Sequence, residues 1–320
     1  LRDSEKPFKK PPGVRRILVF GDSFMWGYGV ENEEMFSTVL QNSLPATETV
    51  NFGVNGYSTV QELVRLENEG LQYEPDVTVL VFFWNDLEDN FDDKDGGRPV
   101  AVVGDDNSLR IDNRPVRRQW KSPLKQWFRH HSHLFRFVEY NLELLKHMFK
   151  SNQQAQVRPE GHAPGVAFAA EGDNNMAGVR FSMADVYAPP GPKIDTAWRA
   201  MHLLLREINL LTAKNGGRLV VVYTASIETT DESVFARLIQ KTGADPGTNT
   251  LNWDRPSKRL GEICDGLNIP YVNLNPIFRQ NYKTTELFLK KNPHWSAAGH
   301  RLAAQTVAAK IKGLVTPVEN

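Results

Sequence analysis

With 320 residues, and 38 Lys+Arg against 38 Asp+Glu, the chain is long enough for one large domain or two modest ones and has no net charge to attract nucleic acid. Its 40% apolar and 24% charged residues are those of a globular protein, and no apolar run reaches the ~18–20 residues of a membrane span. A single cysteine, Cys264, excludes an intramolecular disulfide framework and a cysteine-based zinc cage.

The chain opens at Leu1 with a basic, Pro-containing start (SEKPFKKPPGVRR), which suits a linker over residues 1–14 behind a removed leader. That leans towards export, although a cytoplasmic enzyme fits the composition equally well. RRILVFGD (15–22) is an apolar run ending in Gly-Asp and predicts a buried strand feeding a turn. Residues 33–44 read as a helix and TVNFG (49–53) as a second strand. STVQELVRLENEGL (58–71) reads as a helix with Ser58 at the N-cap and Gln61 three residues on, a capping box. DVTVLVFFW (76–84) is a near-continuous apolar strand. Strands buried on both faces and alternating with helices imply a parallel sheet covered on both sides.

The alternation then breaks. NDLEDNFDDKDGG (85–97) is an acidic loop, and VAVVGDDNSLRID (100–112) predicts a hairpin turning near GDDN. In 122–150 a helix starts at Ser122 and Pro123, with Leu124, Trp127, Phe128, Phe135, Val138, Leu142, Leu145 and Phe149 on one stripe. That stripe can pack on the sheet, cover the active site or contact a membrane surface. Residues 151–194 lack periodicity and read as a loop. Alternation resumes with helices over 195–214, 231–242, 256–267 and 296–312 and strands over 218–225 and 270–274. The expected fold is α/β: a three-layer, flavodoxin-like, five-stranded parallel sheet formed by 15–94 and 195–314. Residues 95–194 are an inserted hairpin, helix and loop, a cap or lid.

Three segments following predicted strands bring chemistry to one sheet edge, where open α/β sheets gather ligands. GDSF (21–24) presents the Ser23 hydroxyl and backbone N–H. NFGVNGYST (51–59) carries Gly53 and Gly56, and FFWNDLEDN (82–90) supplies the Asn85 amide. A hydroxyl, a glycine N–H and an amide are the parts of a nucleophile with an oxyanion hole. Near the C-terminus FLKKNPHWSAAGH offers His294 as a base.

Together these four ordered blocks resemble the GDSL/SGNH hydrolases, esterases and acylhydrolases on a flavodoxin-like sheet. The resemblance maps the nucleophile onto Ser23, the oxyanion donors onto Ser23 N–H, Gly56 and Asn85, and the base onto His294. It departs from the family in the last block, where Lys291 and Asn292 occupy the positions that carry Asp. An Asn292 oxygen could accept Nδ1–H and leave Nε2 free, whereas a flipped amide would leave the proton on the wrong nitrogen. A working Ser–His dyad, a slow enzyme and a substitution by design all stay open on the sequence alone.

The resemblance implies a bacterial-type serine ester hydrolase working through an acyl-Ser23 intermediate, with Ser23, His294 and Asn292 at its centre. Trp26, Tyr57 and Trp84 are candidates for contact with a small-molecule, carbohydrate or lipid ester, and together with Tyr28 they stand beside the proposed catalytic residues as an aromatic wall or as core. No cofactor or metal is called for. An O-acyltransferase acting on a carbohydrate hydroxyl and a non-catalytic binding protein are the alternatives. Asp22 and Asp86 read as loop-holding residues, and His300 as packing or surface. The acidic loop fails the EF-hand register because Phe91 stands where an acid is needed. On the 122–150 helix, His131 faces away from His130 and His133, against a shared metal ion.

Overall fold

Strand β1 (Arg15–Phe20) is buried at every residue, and its two neighbours make it central. It pairs in parallel with β2 (Thr47–Asn51) on one side and β3 (Val77–Phe82) on the other. The structure, a computed structural model, describes residues 5–92, 97–112, 183–242, 251–290 and 292–314. Two further strands extend the sheet, numbered here after the hairpin β4 (Val100–Val103) and β5 (Leu109–Asp112). These are β6 (Arg218–Tyr223), parallel to β3, and β7 (Tyr271–Asn273), parallel to β6. The spatial order β2-β1-β3-β6-β7 is the flavodoxin-like one, with its switch point between β1 and β3.

Side chains alternate across the sheet with the strand period of two. Leu18, Phe20, Leu80, Phe82, Val221 and Tyr223 lie in one core, with α3 (Thr59–Asn68), α6 (Pro192–Lys214) and α9 (Arg255–Gly266). Ile17, Val19, Val79, Val81, Val220 and Val222 lie in the other, with α2 (Phe36–Asn42), α10 (Asn275–Asn281) and α11 (Ala297–Lys312). Each fully buried Leu, Val or Phe contributes about 1.5–3 kcal/mol, so two cores back to back specify the three layers.

The expected boundaries shift at several places, each for a local reason. The helix predicted over 33–44 splits into a 3-10 turn (Asn32–Glu34) and α2. Glu31 and Glu34 close a capping box, and Met35 is extended between the two elements. The long helix starts at Pro192, after Gly191, with proline at the first helical positions. Short helices α1 (Ser23–Trp26), α4 (Asp86–Asp89), α5 (Met183–Tyr187) and α7 (Ile227–Thr230) are too brief for hydrophobic periodicity to mark them. Helix α8 (Glu232–Thr242) matches expectation.

The hairpin forms as predicted, antiparallel around GDDN. Val100, Ala101 and Val103 are buried, the latter two in the first core, and Ala101 N–H donates to Asn90 O. The described residues belong to one unit, Leu1–Pro115 with Asn174–Asn320. The striped helix 122–150, the histidines at 130–133 and residues 151–182 of the loop expected over 151–194 lie outside the described residues; the rest of that stretch is not all loop, since it holds α5 and the first turn of α6. At the base of the sheet, fully buried Arg16 donates to Pro7 O, Phe8 O and Tyr73 O and pairs with Glu48 at 2.7 Å, pinning the N-terminal segment.

Candidate active site

The site is built at the C-terminal end of β1. Gly21 and Asp22 turn the chain, and Asp22 Oδ1 accepts the Phe24 N–H at 3.0 Å, capping α1. Ser23 is the first residue of that helix. Because β2 and β3 flank β1, the loops following them flank Ser23. On the β2 side, Asn51 ties the loops together: its Nδ2 donates to Met25 O at 2.8 Å and its Oδ1 accepts the Gly53 N–H at 2.8 Å. Gly53 must be glycine because a Cβ there would lie 2.5 Å from Trp26 N. Gly56 takes a left-handed φ of +74°, and its carbonyl accepts from Arg98 Nη1 at 2.7 Å. On the β3 side, Asn85 precedes α4, and its Nδ2 donates to Asp89 Oδ2 at 3.1 Å.

The C-terminal block supplies the fourth loop. Fully buried Trp295 anchors it, donating Nε1–H to Ala225 O at 2.8 Å beyond the end of β6 and bridging to Phe288. Leu289 N–H donates to His294 O, closing the loop on itself. His294 Nε2 then lies 2.7 Å from Ser23 Oγ across 271 residues of chain. Its Nδ1 is hydrogen-bonded to Asn292 Oδ1.

The Asn292 amide orientation is decided by a second contact. The same Oδ1 lies 3.0 Å from the backbone N of His294. A backbone N–H can only donate, so the group facing it must be the amide oxygen. That oxygen therefore also faces Nδ1, which must carry the proton, and Nε2 is left with its lone pair towards Ser23. Of the alternatives left open by the sequence, the arrangement with Nε2 free to accept is the one present.

Two aromatic rings cover the imidazole. Phe24 has its centroid 4.9 Å away at 38°, and Tyr28 is stacked at 4.7 Å and 29°. Partial burial holds the His294 pKa below its ordinary value. Among the described residues no carboxylate is hydrogen-bonded to its ring.

Beneath the loops lie the buried carboxyl groups of Asp22, Glu62, Asp86 and Asp89. Burial pushes Asp22 up to about 6, and the charge of Asp89 adds to the effect while the Phe24 N–H opposes it. Glu62 is raised well above the usual carboxylate range by burial and then by Asp22. Asp86 is raised in the same way, by burial first and then by Glu62 and Asp22. Both Glu62 oxygens lack a hydrogen-bond partner among the described residues. Asp22 and Asp86 nevertheless hold their loops as expected, Asp86 Oδ2 accepting the Phe83 N–H.

Ser23, His294 and Asn292 are thus joined by direct contacts, with Gly56 and Asn85 on the two adjacent loops. Trp26 is partly exposed with its ring 6.4 Å from Tyr28, Tyr57 is partly exposed in the Gly56 loop, and Trp84 packs in part against the first core. Residues 19–302, nearly the whole of this arrangement, match the GDSL-like lipase/acylhydrolase family. The chain belongs to that family. It is an ester-bond hydrolase on a flavodoxin-like sheet.

This family member is similar in structure to a lipase/acylhydrolase from Enterococcus faecalis, at 14% identity and TM-score 0.46, over 96% of this chain and 100% of the other. It is also similar to the acetyl xylan esterase AlAXEase, at 15% identity and TM-score 0.44, over 94% and 100%. A third is an acetylxylan esterase from Geobacillus stearothermophilus, a catalytic mutant, at 14% identity and TM-score 0.43, over 93% and 94%. No curated protein matches the chain.

Sequence reading missed two contributors to the hydrolase's site, Arg98 and Asp89, because only the folded loops bring them to Gly56 and Asn85. Tyr28, one of the aromatics expected beside the catalytic residues, lies on His294, in WGYG between two glycines of positive φ, Gly27 and Gly29. His300 is fully buried and structural, its Nδ1 accepting the Phe36 N–H at 3.2 Å.

Proposed function

We propose that the protein hydrolyses small carboxylic esters through an acyl-Ser23 intermediate, with His294 as general base and Asn292 fixing the tautomer of His294. The observation that supports this best is the chain of contacts from Asn292 Oδ1 through the His294 ring to Ser23 Oγ at 2.7 Å. A nucleophile and base at hydrogen-bond distance, with the base oriented by a third group, is the general pattern of activated serine catalysis.

In the first half-reaction Ser23 Oγ attacks the acyl carbon as its proton passes to His294 Nε2. Negative charge then develops on the former carbonyl oxygen. Ser23 N–H, Gly56 N–H and Asn85 Nδ2 donate to it; Asp89 engages one of the two Asn85 amide hydrogens and leaves the other for the oxyanion. Collapse expels the alcohol, which takes the proton from Nε2. In the second half-reaction Nε2 takes a proton from water, hydroxide adds to the acyl carbon, and Ser23 leaves with its proton restored.

Replacing a triad Asp by Asn in a serine protease costs about 10⁴ in kcat by imposing the wrong tautomer. That penalty does not carry over here, because Asn292 presents oxygen rather than N–H to Nδ1. The remaining cost is the absence of a negative charge beside the imidazolium. Trp26, Tyr57 and Trp84 supply an aromatic wall suited to the apolar face of an acyl sugar.

The test is hydrolysis of p-nitrophenyl acetate and butyrate by the parent, Ser23→Ala and His294→Ala. Turnover by the parent with both variants reduced to background supports the reading; equal rates in all three contradict it. Running the parent with a sugar acceptor partitions product between free acid and acylated sugar, and a majority of acylated sugar would make it a transferase.

A further inference from the structure

The imidazolium formed during acyl transfer needs a compensating partner, and on the reading above Asn292 offers only a neutral dipole. The face of the ring is a different matter. Tyr28 is stacked on His294 with centroids 4.7 Å apart and planes 29° apart, and Phe24 covers it at 4.9 Å. The face of an aromatic ring carries the negative end of its quadrupole and attracts a cation within about 6 Å of its centroid.

Tyr28 is also held where it is from both sides. Its own N–H donates to Ser23 O at 3.2 Å, tying it to the nucleophile's residue. Gly27 and Gly29, at φ +77° and +79°, fold the segment back over the site. Gly29 lies against Leu289, whose side-chain Cδ1 is 2.5 Å from where a Cβ would be. Leu289 in turn donates its N–H to His294 O at 2.9 Å. Tyr28 is 39% exposed, so a large aromatic residue is kept at the surface while stacked on the base. Core packing does not account for that position.

We propose that Tyr28 is a positioning residue for the hydrolysis, its ring face stacked on His294 and taking part of the role that a carboxylate plays towards the imidazolium. The proposal rests on the acyl-Ser23 reading, with His294 as the base. Phe24 cannot be tested in the same way because it is buried in the second core.

The experiment compares Tyr28→Phe and Tyr28→Leu, each in the parent and in an Asn292→Asp background. It reads kcat and KM against pH and, without substrate, the titration of the His294 ring by NMR. Tyr28→Phe keeps the stacked face and is expected to stay within about twofold of the parent in kcat. Tyr28→Leu keeps the cover but loses the face, and its kcat falls roughly 3- to 30-fold with little change in KM. His294 in that variant titrates at lower pH than in the parent. In the Asn292→Asp background the same Leu substitution costs less than about threefold, because a charged partner has taken over.

An unchanged titration and kcat in Tyr28→Leu would overturn the proposal. So would a loss confined to KM, which marks a substrate contact, or equal losses for Phe and Leu, which mark the hydroxyl. Should no variant, the parent included, cleave an ester or form an acyl-enzyme, the Ser23 reading fails instead. The NMR titration still decides whether Tyr28 stabilises the imidazolium.

Discussion

Asn292 Oδ1 accepts two hydrogen bonds from one residue, His294, one from the backbone N–H and one from ring Nδ1–H. The backbone contact locks the amide, and the amide locks the tautomer. On the proposed mechanism, this pair is how the hydrolase keeps a usable base without the Asp. It also divides the effect of the missing carboxylate into a tautomer part, which is preserved, and a charge part, which is not.

Asn292→Asp restores the charge part. A hydrogen bond to a charged group is worth about 1.5–3 kcal/mol against about 1 for a neutral one, so kcat/KM is expected to rise roughly tenfold. The acid limb of the pH–rate profile moves to higher pH, because the carboxylate favours the imidazolium. Asn292→Leu removes both parts and lowers kcat by about 10² or more. Steady-state kinetics over pH 5–9 on the three chains tests this, and an Asp variant no faster than the parent contradicts it.

On the proposed mechanism Asn85→Ala removes one oxyanion donor and lowers kcat by about 10²–10³ with KM nearly unchanged. Asp89→Ala, which frees the Asn85 amide to rotate, causes a smaller loss in the same parameter. A KM effect larger than the kcat effect in either variant would assign these residues to substrate binding instead.

Gly53→Ala forces a methyl into the backbone of Met25 and Trp26, close to Ser23 in sequence. Overpacking of this kind costs about 1–3 kcal/mol, and here it displaces α1 as well, so Tm and kcat fall together. Gly56→Ala has open space apart from Arg98 Nη2 at 3.7 Å, so its cost comes from the left-handed φ alone. Thermal melts of the two variants separate the causes; a Gly53→Ala protein with parental Tm contradicts the close approach.

The buried carboxyls make stability depend on pH. Asp22 has an ordinary value of 3.8 and a folded value of about 6. Its contribution is therefore fully present below about 4 and lost as pH rises through 6, a loss of about 3 kcal/mol. Glu62 and Asp86 are shifted in the same direction. Glu62→Gln removes one burden of ionisation, so it raises the denaturation midpoint at pH 8 and flattens the fall between pH 5 and 8. A lower midpoint at pH 8 would mean that the carboxylate of Glu62 is stabilised where it lies.

Much of this was legible in the sequence because the signals are local. The four blocks each follow a strand, and strand ends are where such a sheet collects its functional side chains. Ser58 and Gln61 mark a helix start within four residues, and both side-chain contacts of that box are present. The hairpin was marked by its turn residues. What escaped depends on partners distant along the chain. Arg98 reaches Gly56 from 42 residues away, Glu62 carries no signal, and the loop-holding Asp22 and Asp86 show nothing of their burial beside it until the fold forms. Asn292 stood between, since its type was visible but its orientation needed the backbone N–H of His294.

The most direct test of Ser23 as nucleophile is to trap the acyl-enzyme. Parent protein is mixed with p-nitrophenyl butyrate, quenched in acid within the first turnovers, digested and read by mass spectrometry. A butyryl adduct is expected on the peptide carrying Ser23, absent from Ser23→Ala and strongly reduced in His294→Ala. An unmodified Ser23 during ester turnover, or an adduct that persists equally without His294, would contradict the mechanism.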